Sequence, residues 1–104
     1  MLHHEGIRMI KIWAKRRDLY RIKHTFIDML GEQMLSSFRF HISPPGGDHA
    51  RIQSLTISVA ASLEQEKAVQ LLLMILRLSG DPHPRQVFFL KENGGNAEFI
   101  RRLA

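Results

Sequence analysis

Apolar and polar positions alternate along several stretches of the chain and recur every three to four residues along others. The stretch GIRMIKIWAKRRDLYRIKH, from Gly6 to His24, contains one pattern of each kind. Read as one helix, it would align Ile7, Ile10 and Ala14 but bring Arg17 and Arg21 onto the same stripe. Read as a strand, its front half sends Ile10, Ile12 and Ala14 one way and Met9, Lys11, Trp13 and Lys15 the other, which is period-two alternation. Asp18 then offers a helix N-cap, and Leu19, Ile22, Phe26, Met29 and Leu30 recur at helical spacing. The pattern predicts a strand, then a helix over 18–30, with Gly31 as its stop or as an internal residue before Leu35.

In FRFHIS, Phe38, Phe40 and Ile42 alternate with Arg39 and His41. SPPGGDH breaks the pattern, and RIQSLTISVAA resumes it, with Leu55, Ile57, Val59 and Ala61 inward and Ser54, Thr56 and Ser58 outward. This reads as a hairpin with a long loop. Ser62-Leu63-Glu64-Gln65 matches a capping box ahead of a second helix that buries Ala68, Val69, Leu72, Ile75 and Leu76. Gly80 ends that helix, Asp81-Pro82-His83-Pro84 forms the exit loop, and QVFFL is a short last strand. Residues 1–6 read as a flexible N-terminus and 7–90 as the folded domain. Residues 91–104 read as a flexible tail, with an Asn93-Gly94-Gly95 link, a helical turn from Asn96, and Phe99 and Ile100 as a docking pair.

The order strand, helix, strand, strand, helix, strand predicts an α+β, ferredoxin-like βαββαβ open-faced sandwich. Its four-stranded antiparallel sheet has two helices on one face and the first and third strands in the centre. The other face is then uncovered and carries Met9, Lys11, Trp13, Arg39, His41, Ser54, Thr56, Ser58 and Phe88. Lys11, Trp13, Arg39, His41 and Phe88 are its candidate binding residues. The plainest reading of such a face is a partly solvated sheet or one covered by a second copy. A second candidate is the basic corner of Lys15, Arg16, Arg17 and Arg21, as a contact for phosphate or acidic lipid, although a solvated strand-to-helix corner is the plainer reading.

This topology is shared with RNA-recognition motifs, which stack bases on aromatics of the two central strands. SLTISVAA has no aromatic residue, so nucleic acid is kept as the alternative, through Lys11, Trp13, Arg16, Arg17 and Arg39.

Charge and composition narrow the partners. The 104 residues carry a net charge of +5, which favours anionic partners. No cysteine is present, so disulfides, thiolate metal sites and cysteine nucleophiles are excluded. The six histidines show no HxH or i,i+4 spacing, so no metal site and no cofactor are expected. Asp48-His49 and Asp81 with His83 read as turn chemistry, and no enzyme is expected. The first residues, MLHHEG, lack a signal-peptide pattern. The run Leu71 to Leu76 is far short of the roughly 20 residues that span a bilayer. The chain is expected in the cytoplasm, or at the cytoplasmic face of a membrane if it is cut from a membrane protein.

RMIKIWAKRRD, FRFHISPPGGDHARIQSLTISVAAS and EQEKAVQLLLMILRLSGDPHPRQVFFL together span about Ile7 to Leu90. In their order and lengths they resemble ACT-type regulatory domains, and more narrowly the C-terminal cytoplasmic domain of MgtC/SapB membrane proteins. ACT domains commonly bind an amino acid near a glycine in the first strand-to-helix loop. Here that loop is Arg16-Arg17-Asp18, which argues against amino-acid sensing. The resemblance implies non-catalytic regulatory contact with a protein partner or a second copy, through the open sheet face or a strand edge, and is compatible with a homodimer.

Overall fold

The computed structural model describes residues 6–44, 51–93 and 96–103, and side chains as far as Lys91. The expectations for His3 and His4 and for Asp48 and His49 lie outside the described residues.

Alternating, β-rich sequence forms β1 (Ile7–Lys15), and the chain turns directly into α1 (Arg16–Leu35). Lys15, still extended at φ −64° and ψ 146°, occupies the N-cap position, and no side chain caps the helix. Asp18, expected as the cap, instead sits in the first turn, where its carboxylate still opposes the positive end of the helix dipole. Gly31 is the internal break, at φ 72° and ψ 168°, and a last turn follows it to Leu35.

Strands β2 (Phe38–Ile42) and β3 (Ile52–Leu63) pair antiparallel, with Phe40 opposite Ile57. The capping box does not form, because Ser62 is still in β3 and exposed, and Glu64 takes the cap position of α2 (Gln65–Leu78) without a side-chain bond. Ala61, expected inward, is exposed as well. Both departures have one cause. The β1–β3 register jumps from Met9 opposite Ser58 to Ile7 opposite Leu63, so the residues between fall in an irregular stretch.

The far end of α2 is closed by a Schellman arrangement. The Asp81 N–H donates to the Leu76 carbonyl at 2.9 Å and the Gly80 N–H to that of Arg77 at 3.3 Å, across Gly80 at φ 93°. The Ser79 hydroxyl adds a bond to the Ile75 carbonyl at 2.7 Å.

Strand β4 (Gln86–Asn93) pairs with the other side of β1. The residues expected as a flexible tail with a helical turn instead form β5 (Asn96–Leu103), antiparallel to β4. The sheet is therefore five-stranded, in the order β2-β3-β1-β4-β5, and differs from the expected four-stranded sheet by this added edge. The expected central strands, β1 and β3, are internal, which is consistent with a ferredoxin-like kind of fold.

One buried cluster unites the layers. Ile10, Ile12, Leu55, Ile57, Val87 and Phe89 of the sheet meet Leu19, Ile22 and Phe26 of α1 and Leu72 and Ile75 of α2. Phe26 packs on Phe38 and Phe40, with ring centroids 5.8 and 5.7 Å apart. Each such side chain, fully withdrawn from water, contributes about 1.5–3 kcal/mol. Concentrating them on one side of the sheet leaves the other side to different work.

Candidate functional site

Because side chains alternate along a strand, the register fixes which residues share the face away from the helices. Three cross-strand rows result. Arg39, Ser58, Met9 and Leu90 stand side by side, followed on β5 by the position of Phe99. The next row is His41, Thr56, Lys11 and Phe88, followed by the position of Arg102. In the third, Trp13 lies between Ser54 and Gln86. No position in these rows is a carboxylate.

The five candidate residues of the face are thus brought together. Lys11, Trp13 and Phe88 are half-buried by their neighbours, whereas Arg39 and His41, on edge strand β2, are exposed. The Lys11 ammonium lies 5.0 Å from the centroid of the Trp13 ring, within cation–π range, an attraction of about 0.5–1 kcal/mol at accessible sites. Ser54 beside Trp13 is buried, and its N–H donates to the Ser43 hydroxyl at 3.0 Å.

The residues of the basic corner follow one another from the end of β1 into α1, each with its own surroundings. Arg16 lies over the Tyr20 ring, 5.5 Å from its centroid. Arg21 extends toward the C-terminal end of α2, where a Cβ added at Gly80 would lie 3.6 Å from its Nη1. There its charge complements the negative end of that helix. Arg17 is exposed on the first turn of α1. Lys15 alone turns to a groove, about 280 Å³ in volume, whose walls include Asp18, Ile52, His83 and Arg85.

A second, more open groove of about 550 Å³ adjoins it, lined by Trp13, Ile52, Arg85 and Gln86. The Arg85 N–H donates to the Trp13 carbonyl at 2.7 Å, which fixes the exit loop against the end of β1. Arg85 was not singled out by the sequence, and His83 only as turn chemistry with Asp81. Their only sequence signal is a Pro-rich loop returning to a strand that pairs with β1.

Among the described residues no group of three or more histidines and carboxylates could hold a metal ion. No helix among them is long and apolar enough to cross a membrane. Comparison with family models, with curated proteins and with solved structures gives no match.

Proposed function

We propose that this chain is a non-catalytic regulatory or protein-interaction domain of the ferredoxin-like, ACT-like type. It docks an acidic protein partner on the open face of its sheet, at the cytoplasmic side. The βαββαβ order supports the fold assignment. The observation that carries the docking reading is the composition of the three rows. Lys11 and Arg39 supply positive charge in the same rows as Phe88, Met9 and Leu90, next to Trp13, with no carboxylate among these positions. Half-buried Trp13, Phe88 and Met9, with exposed Arg39 and His41 on the edge strand, suit an interface centre with a polar margin. A second copy stacked on this face would set like charges against one another, so the partner is a different chain.

The test compares the parent chain with the double variant Lys11→Glu/Arg39→Glu. Partners recovered by cross-linking are identified and the binary complex is reconstituted. An acidic protein that binds the parent, shifts Trp13 fluorescence and loses the charge-reversed variant at unchanged thermal stability supports the reading. Equal binding to both would end it.

Nucleic acid is the second reading, favoured by Trp13 and Phe88 standing in adjacent rows beside Lys11. It requires recovery of material that nuclease removes, with an affinity that falls steeply as salt rises.

A further inference from the structure

The two adjoining grooves lie at the end of the sheet where β1 finishes and β3 and β4 begin, and the outer one takes in Trp13 and Gln86 from the third row of the open face. They share Ile52 and Arg85. The inner one presents Lys15, His83 and Arg85, with Asp18 as the one carboxylate. Lys15 and Arg85 thus stand in one groove with His83 and Asp18. The outer one is lined by Trp13, Gln86, Ile52 and the shared Arg85. Lys15 and His83 line only the inner groove, and Trp13 and Gln86 only the outer one.

We propose that this double groove binds a phosphate monoester that carries a planar ring, a ligand of the mononucleotide kind. The phosphate is held by Lys15, Arg85 and His83. Arginine offers a planar fork of donors to phosphate and lysine a point charge, the two usual phosphate partners. The ring lies on Trp13, since a base stacks on an indole whatever its sequence, and the Gln86 amide faces its hydrogen-bonding edge. Asp18, which lines the inner groove alone, suits a sugar hydroxyl there. Size agrees as well, because small-molecule sites occupy about 300–1,000 Å³ and the outer groove alone measures about 550 Å³. The Arg85–Trp13 backbone bond holds the phosphate end and the ring end in fixed relation, so both can engage one ligand. This site goes beyond the docking face: it shares Trp13 and Gln86 with it, while Lys15, His83 and Arg85 stand outside the three rows.

Trp13 is the sole tryptophan, so its fluorescence reports the outer groove directly, with calorimetry as the independent readout. The whole chain is titrated with adenosine monophosphate, adenosine and inorganic phosphate. Saturable binding of adenosine monophosphate, stronger than that of either fragment, is expected. Arg85→Gln weakens it about tenfold, the loss of one charge-assisted contact, while Lys67→Gln at an exposed position of α2 leaves it unchanged. Lys15→Gln is the second variant should Arg85→Gln fail to fold. A single-stranded oligonucleotide with a terminal phosphate that outcompetes the free nucleotide, and loses this advantage without the phosphate, identifies a strand end as the natural source. Binding that does not saturate, inorganic phosphate binding as tightly as the nucleotide, or equal weakening by Lys67→Gln and Arg85→Gln overturns the proposal. Because the docking face is tested by reversing Lys11 and Arg39, failure of one reading leaves the other standing.

Discussion

Gly31→Ala sets two physical arguments against each other with opposite signs. If α1 were continuous, alanine would be the better residue by about 1 kcal/mol, because glycine has the greater freedom to lose on folding. Gly31 instead sits at φ 72° and ψ 168°, a region that only glycine occupies without strain. Forcing a side chain there costs about 1–3 kcal/mol. An added Cβ meets no atom within 4 Å, so crowding contributes nothing and the whole effect is backbone strain. Alanine also restricts the unfolded chain, which returns about 0.4–1 kcal/mol. The balance is a loss of about 1 kcal/mol. With a urea slope of about 1.5 kcal/mol per M, the unfolding midpoint falls by about 0.7 M. Urea denaturation followed by circular dichroism reads this directly, provided the slope is unchanged. A midpoint that rises would show that the helix runs straight through position 31 and would refute the reasoning.

Phe26→Ala removes a fully buried ring from between Phe38 and Phe40 and should cost about 3–5 kcal/mol by chemical denaturation. That is a large part of the roughly 5–15 kcal/mol that holds a domain folded, so a much smaller loss would mean that the site collapses around the gap. Ser79→Ala deletes the hydroxyl bonds to the Ile75 and Leu76 carbonyls and should lower stability by about 1 kcal/mol, read as a drop in Tm. Arg39→Ala, at an exposed position of edge strand β2, should stay within about 0.5 kcal/mol of the parent in the same assay. Any loss of partner binding in that variant can then be assigned to the surface and not to unfolding.

Much of the fold is legible in the sequence, because the alternating stretches bury one side each and period-two patterns are hard to satisfy any other way. Ile10, Ile12, Leu55 and Ile57 are all buried as their alternation requires. The fifth strand was hidden by a register shift. Phe89 faces Arg101 and Leu90 faces Phe99, so Ile100 has no partner of its own, and the adjacent Phe99-Ile100 pair breaks the alternation that would mark a strand. Asn93 and Asn96 pair with two residues between them, the spacing of a tight hairpin, which composition alone made look like a flexible link. The open face was readable because it is the complement of the core. The double groove was not, since Lys15, Ile52, His83 and Arg85 meet only after three separate segments converge.

The interior place of β1 has a consequence for the growing polypeptide. This segment is the first described strand to leave the ribosome, yet both of its flanks are filled by strands made later, 52–63 on one side and 86–93 on the other. Until residue 93 has been synthesised, an apolar ribbon from Ile7 to Lys15 has at least one open flank. Closing it joins segments far apart along the chain, which slows folding and prolongs the interval in which nascent molecules can adhere to each other. The alternating lysines at positions 11 and 15 put charge on that ribbon during the wait, a safeguard against mispairing that serves before any partner is met.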